Sequence, residues 1–201
     1  DINKNSLLSY KLALASDPIS AFGGVVSCNF KINKKLAIEL KKIFLEVIIC
    51  NGIEKDALNL LKLKKNLRVI DASKLSNINL QNIYSILGGY LIQTTDTLNF
   101  SSTDFKVVSK KKPNSKMLKN LKFAFNVCRF VKSNAIVLVN DFSTIGIGSG
   151  QPSRLDSCEI AINKMKKFYK NKSNNEIVAA SDAFFPFIDG FESLVQSGVS
   201  A

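Results

Sequence analysis

The sequence contains no histidine. Its four cysteines, Cys28, Cys50, Cys128 and Cys158, never pair as C-x-x-C. Together these absences exclude the usual zinc centres, which draw on closely spaced thiolates and imidazoles. All four cysteines sit in apolar company, which reads as buried free thiols in a reducing compartment. No apolar run reaches the ~18 residues that a membrane-spanning helix needs, so no membrane partner is expected. The opening DINKNSLL is polar and lacks the basic-then-apolar pattern of a secretory leader. A cytoplasmic location follows as the expectation. The chain also does not begin with methionine, and it reads as a piece of a longer protein.

What is present is enough for one large domain or two small ones: 201 residues, 46% of them apolar. The net charge is +12, from 28 Lys and Arg against 16 Asp and Glu, and only Arg68, Arg129 and Arg154 are arginines. The basic load is densest at KVVSKKKPNSKMLKNLK, residues 106–122. Such a field draws polyanions. No nucleic-acid recognition motif accompanies it, however, and lysine and asparagine are abundant along the whole chain. Compositional bias therefore accounts for the charge better than nucleic-acid binding does.

Hydrophobic periodicity organises the chain. SLLSYKLALAS (6–16) has helical spacing and should end at Asp17-Pro18, because the residue before proline avoids the α region. Val25-Val26 reads as a buried strand. Helix, strand, helix and strand are then expected at 34–44, 46–50, 54–65 and 67–71. IYSILGGYLIQTTD (83–96) is β-branched and aromatic, broken by Gly88-Gly89, and suggests a bent strand pair or a bulge. The polar, lysine-rich 98–116 is the linker candidate. The pattern then resumes: helix 117–131, strand 135–140, turn, strand 144–148, helix 153–170, strand 176–180 and a helical stretch at 191–197. Alternation of this kind argues for α/β layering in two similar halves, divided as 1–112 and 113–201.

Four stretches carry chemistry. In TIGIGSGQPSRLDS (144–157), Gly146 and Gly148 share one strand face, where another backbone or a planar ligand could approach closely. Pro152 suits a first helical position. Arg154 then falls in the first turn, where a cation meets the positive end of the helix dipole. An anionic partner would repay that local cost; an exposed arginine is the plainer alternative. ASDAFFPFIDG (180–190) is a poor strand because Pro186 breaks the ladder. As a rigid loop it offers the rings of Phe184, Phe185 and Phe187 to a flat heterocycle, with Asp182 and Asp189 as acceptors. A hydrophobic plug with turn-forming aspartates is the competing reading. In KSNAIV (132–137), Asn134 can orient a carbonyl or simply make a turn. SAFGG (20–24) by itself is a tight turn.

Taken in order, DPISAFGGVVSCN, LEVIIC, RFVKSNAIVLV, TIGIGSGQPSR and SDAFFPFIDG resemble the formyltransferase portion of the bifunctional AICAR transformylase / IMP cyclohydrolase family of purine biosynthesis. The resemblance implies a cytidine-deaminase-like fold of two similar α/β subdomains, with mixed sheets flanked by helices and no zinc. It implies formyl transfer from 10-formyltetrahydrofolate to AICAR, giving FAICAR and tetrahydrofolate. It also implies a homodimer with sites at the subunit interface, and a parent protein that carries the cyclohydrolase as well.

Residue by residue, Asn134 matches the family's asparagine at the reacting centre. Arg154 matches the arginine on the nucleotide, with Leu155 beside it. Phe184 and Pro186 match the aromatic wall near base and folate, and Asp189 the acid there. Lys65 matches a lysine that reaches ligand phosphate. Ile19, Phe22 and Gly23 match folate contacts, and Glu46 an acid that can bond the pterin. A monovalent cation such as potassium near Ser133 and Asp182 is a further implication. Two departures stand out. Ile188 occupies a position where the family carries arginine, and the family's lysine–histidine pair has no counterpart in the 201 residues. The expectation is an inactive polypeptide when isolated. The alternative is a non-catalytic binding or assembly subunit whose partner supplies the missing pair.

Overall fold

The computed structural model describes residues 1–75, 81–96, 105–170 and 176–201. The chain opens with α1 (Ser6–Ser16). Asn5 caps it by accepting from the amides of Leu7 and Leu8, and the helix stops at Asp17, ahead of Pro18. Then β1 (Gly24–Cys28), α2 (Lys34–Leu40), β2 (Leu45–Cys50), α3 (Lys55–Leu61) and β3 (Arg68–Asp71) alternate. The three strands form a parallel sheet in the order β1-β2-β3. Ile32, Leu36, Leu40, Ile48 and Leu61 are fully buried at its centre. Leu36 and Leu40, one turn apart, supply the apolar stripe of α2. Because the strands are parallel, the segments leading into them share one edge of the sheet. Gly24 pairs with Leu45, and Val47 with Arg68.

Residues 81–94 form an antiparallel hairpin, β4 (Gln81–Ile86) and β5 (Gly89–Thr94). Ile86 faces Gly89 across the two-residue turn Leu87-Gly88, and Gly88 supplies the positive φ of 84° that the turn requires. The broken apolar stretch is thus a strand pair, as its pattern suggested. The hairpin is a sheet of its own. The linker candidate at 98–116 lies partly outside the described residues.

The second half contains α4 (Ser115–Cys128), β6 (Ile136–Asn140), β7 (Ser143–Gly148), α5 (Arg154–Phe168), β8 (Val178–Ser181) and α6 (Asp189–Gln196). Its sheet runs β7-β6-β8, with both pairings antiparallel. Every residue of the central strand β6 is buried, because both faces are covered. Ile136 and Leu138 pack with α5 and α6 through Cys158, Ala161, Ile162 and Leu194. Val137 and Val139 pack with α4 through Ala124 and Cys128. A strand covered on both sides reads as one apolar run, and each such side chain is worth ~1.5–3 kcal/mol over exposure. The turn between β6 and β7 puts Asp141 and Phe142 at φ 46° and 58°. Phe142 is held there by donating its amide to Asn120 Oδ1 (3.0 Å), while Lys116 grips Asp141 at 2.6 Å.

Helices flanking small sheets are therefore what the chain builds, as expected, but the two halves differ. The first half's three-stranded sheet is parallel, whereas β7-β6-β8 is antiparallel and takes a parallel bridge at its β8 edge, where Ile177 meets Val199. The helices expected at 34–44 and 54–65 stop at Leu40 and Leu61, where lysine-bearing turns begin. Helix α1 touches both halves, resting on α2 and on β7. Just beyond it, Asp17 pairs with Lys164 on α5.

Candidate functional site

The glycines of β7 place the site. A Cβ at Gly146 would stand 2.2 Å from the Ala161 carbonyl oxygen, and one at Gly148 only 1.8 Å from that of Ser157. Both neighbours are backbone atoms of α5. The close approach read from the G-x-G spacing is therefore strand main chain against helix main chain, and no room is left there for a planar ligand. Gly150 then turns the chain at φ 69°. Its amide donates to Lys132 O (2.8 Å), and the Asn134 amide donates to Gln151 O (3.1 Å). These bonds tie the loop before α5 to the loop before β6. Ser153 caps α5, its Oγ accepting from the Asp156 amide. Pro152 thus lies just outside the helix rather than at its first position. Arg154 does open the first turn, as expected.

Arg154 is not a bare cation. Its Nη1 donates to Ser181 Oγ (2.7 Å) and Asp182 Oδ1 (2.6 Å), and its Nη2 to Asn134 Oδ1 (2.8 Å). The guanidinium also lies 5.9 Å from the centre of the Phe185 ring. Asp182 takes further bonds from Ser133 Oγ and the Ala135 amide. Burial opposes its charge, but the bonds from Arg154, Ser133 and Ala135 outweigh burial and draw its carboxyl down to about 2. Asn134 is as fully engaged: its Nδ2 donates to the carbonyls of Gln151 and Pro152, both at 2.9 Å. The arginine, the aspartate and the asparagine form one interlocked unit across β6, β8 and the start of α5. Local helix electrostatics are overridden by an ion pair with the neighbouring strand.

Beside this unit opens a cleft of about 360 Å³. Asn134, Arg154, Leu155, Phe184, Pro186 and Asp189 all line it. Six of the residues singled out from sequence are thus brought together. Phe184 and Phe187 are largely exposed, so the FPF loop is a rim with free ring faces rather than a core plug. Phe185 is the ring that turns inward, edge-on to Phe191 at 6.4 Å. Asp189 begins α6 and accepts from the Gly190 amide at 2.7 Å. Sequence reasoning missed Ser181, whose hydroxyl receives Arg154, and Ser157, whose hydroxyl donates to Asn134 O at 2.8 Å. Neither had a signal in the sequence, since a serine in a strand or helix is ordinary.

The remaining candidates lie elsewhere. Phe22 stacks at a tilt on Phe44, 5.2 Å between centres, and a Cβ on Gly23 would come within 3.9 Å of Glu46 Oε1. Ile19, Phe22 and Glu46 are exposed. Together with Gly23 they form a second cluster at the leading edge of the parallel sheet. Lys65 is exposed in the turn before β3, at that same edge, and does not line the cleft. The cluster's loop is anchored where Asp17 meets Lys164, ten residues beyond Arg154. Ten helical residues span ~15 Å, so this anchor lies about that far along α5 from Arg154.

Ser133 and Asp182 offer hard oxygen donors of the kind a monovalent cation takes, but the charge of Asp182 is already balanced by Arg154. The fit is poor, and no step is derived through such an ion. Among the described residues no cluster of three or more Cys, Asp or Glu could hold a metal. Burial raises Cys28, Cys128 and Cys158 to about 11, which removes them as thiolate nucleophiles. Among the described residues no helix is long and apolar enough to cross a membrane.

Comparison with known proteins agrees with this geometry. Residues 2–164 match the family model described as AICARFT/IMPCHase bienzyme. The chain is 41% identical over 200 residues to the bifunctional purine biosynthesis protein PurH of Parvibaculum lavamentivorans, covering 96% of this chain and 37% of the relative. It is 42% identical to the protein of that name from Rhodospirillum rubrum, over 96% and 38%. For the Caldicellulosiruptor bescii protein the figures are 43%, over 96% and 37%. The chain thus spans a little over a third of the length of the curated relatives it matches.

Proposed function

Because the chain belongs to the AICARFT/IMPCHase bienzyme family, we propose that it forms part of an enzyme that passes a formyl group from 10-formyltetrahydrofolate to AICAR in purine biosynthesis, within a parent that also closes the ring to IMP. One observation carries this reading: Asn134, Arg154, Leu155, Phe184, Pro186 and Asp189, taken from three separate motifs, meet at one cleft. The cytidine-deaminase-like fold, with subdomains at 1–112 and 113–201, belongs to the same proposal, as does a cytoplasmic location.

In the proposed reaction the amine nitrogen of AICAR bonds to the formyl carbon, the bond from that carbon to folate N10 breaks, and the proton that the amine gives up ends on N10. Ring faces at Phe184 and Phe187 suit a flat base, and Asp189 can accept from its N–H groups. Arg154 retains donors beyond its internal bonds and can offer them to a nucleotide. Asn134 is already oriented, with its amide hydrogens on two carbonyls and its oxygen on Arg154. It lines the cleft as a rigid polar wall at the reacting centre. General-base help from histidine is not available, since the chain has none. The polypeptide is therefore proposed to bind its ligands without turning them over.

The residues implied for folate, Ile19, Phe22, Gly23 and Glu46, and Lys65 implied for phosphate, do not line the cleft. A second copy is the source proposed for them, one copy giving its Arg154 cleft and the other its Phe22 cluster. A homodimer with shared sites is proposed on that ground. Calorimetric titration tests the whole reading. AICAR should bind with micromolar affinity, Arg154→Gln should weaken it at least about tenfold (~1.4 kcal/mol), and Phe22→Ala should weaken a folate analogue while sparing AICAR. Ligands that bind Arg154→Gln as well as the parent, or turnover by this histidine-free chain, would overturn it.

A further inference from the structure

Two walls of the cleft belong to different elements. Arg154 stands on α5, while Phe184 and Pro186 hang from the loop between β8 and α6. A cation and a set of ring faces can grip one ligand only if the distance between them is fixed. Asp182 and Asn134 hold the guanidinium. Their other hydrogen bonds run to Ser133, Ala135, Gln151 and Pro152, and so tie it to the loops before β6 and α5.

Ser181 reaches both walls. Its Oγ accepts from Arg154 Nη1 at 2.7 Å and lies 2.7 Å from Ala183 O. Chemistry sets the direction of the second bond. A guanidinium only donates and a carbonyl only accepts, so the single hydroxyl proton goes to Ala183 O. Ala183 precedes Phe184 and lines the cleft itself. One oxygen thus joins the cation to the main chain that carries the rings. Ser181 is not among the residues lining the cleft, so it acts through its neighbours.

The anchor is firm because the sheet supplies it. Ser181 ends β8, in register with Ile136 of the central strand, and Ile136 is fully buried. The next amide, that of Asp182, donates to Ala135 O at 3.3 Å. A side chain built on a strand holds its place more tightly than one on a loop. The serine also decides which donors Arg154 has left. Of five N–H groups, Nη1 commits both of its own, to Ser181 and Asp182, and Nη2 commits one to Asn134. One hydrogen on Nη2 and the one on Nε remain for a ligand. Without the hydroxyl, Nη1 would regain a free hydrogen, the Ala183 carbonyl would lose this bond, and the guanidinium could turn about Asp182.

We propose that Ser181 is a positioning residue, whose hydroxyl locks Arg154 and the ring-bearing loop at one separation and so shapes the cleft for its ligand. The inference rests on the reading of that cleft as the AICAR site.

The test is calorimetric titration of the full chain with AICAR. Ser181→Ala should weaken binding about tenfold, the scale of one hydrogen bond to a charged group. Ser181→Cys, close in size but a weak hydrogen-bond partner, should lose as much. Ser181→Thr keeps the hydroxyl and suits a strand, and it should stay within about threefold of the parent. In an Arg154→Gln background the serine has no guanidinium to hold, so Ser181→Ala should add less than about twofold. Amide exchange at Phe184 and Phe185 gives a readout without ligand: it should quicken in Ser181→Ala and Ser181→Cys and match the parent in Ser181→Thr. Full affinity in Ser181→Ala, a Ser181→Thr chain as weak as Ser181→Ala, an undiminished loss in the Arg154→Gln background, or loop exchange indifferent to the hydroxyl would each overturn the proposal. A parent chain that binds no AICAR would sink the functional reading instead, and the exchange measurement would still decide the role of Ser181.

Discussion

Replacing Gly148 by alanine should break the seam on which the cleft is built. The new Cβ would stand 1.8 Å from the Ser157 carbonyl oxygen and 2.6 Å from its carbon, where ordinary contact begins at 3.4 Å. Clearing that oxygen takes about 1.6 Å of separation (3.4 − 1.8) between β7 and α5. The obstacle is main chain within a hydrogen-bonded helix, so no side-chain rotation relieves it. Overpacking of this kind costs ~1–3 kcal/mol and at times more. The Ser157 Oγ–Asn134 O bond, which sits on the same residue, is worth ~1 kcal/mol more. A loss of about 3 kcal/mol corresponds to roughly 6–12 °C in Tm for a chain of this size. Arg154 lies three residues before Ser157 and moves with the helix, so AICAR affinity should fall in parallel. Calorimetric melting of Gly148→Ala beside Gly89→Ala is the assay. Nothing lies within 4 Å of a Cβ at Gly89, and that variant should melt within ~2 °C of the parent. A Gly148→Ala protein that also melts within ~2 °C would refute the backbone-to-backbone reading.

Acid should loosen the Arg154–Asp182 and Asp17–Lys164 contacts late, at the bottom of the carboxylate range. The carboxyls of Asp17 and Asp182 are both drawn down to about 2, from an ordinary 3.8. Burial works against each charge and hydrogen bonding prevails: from Lys164 and Ser20 for Asp17, from Arg154, Ser133 and Ala135 for Asp182. A depressed carboxyl contributes stability above its unfolded pKa and loses it as pH falls through the folded one. The loss should therefore run from about pH 4 down to about pH 2, and Asp182→Asn should flatten that part of the stability curve; an unchanged slope between those values would contradict the ion pair. The thiols provide a second check. With Cys28, Cys128 and Cys158 raised to about 11 and all four cysteines buried, a thiol reagent at neutral pH should label four groups only after denaturation. Immediate labelling of the native protein would show the cores to be open.

Local signals carried the reading where the physics is local. Asp17-Pro18 stops α1 because proline restricts the residue before it. The run at 136–139 is a strand buried on both faces because it is apolar at every position. Gly146 and Gly148 announced a close approach because only a missing side chain permits one. Local pattern did not distinguish backbone from ligand as the approaching group, since both need the same space. Strand direction was also hidden: β2 and β6 look alike in sequence, yet one lies in a parallel sheet and the other in an antiparallel one. The ion pair of Arg154 with Asp182 joins residues 28 apart and has no periodic trace. Asp141 and Phe142 took left-handed backbone without glycine, because Lys116 and Asn120, distant in sequence, hold the turn from outside.

The separation of the Phe22 cluster from the cleft has a consequence for inheritance. If each finished site draws its arginine from one copy and its stacked phenylalanines from another, a lesion in either group disables every site in a uniform assembly. In a mixed pair the damage sorts unevenly: one site collects both defects and the other none. Two alleles that are each null alone, one altered at Arg154 and one at Phe22, would then rescue each other.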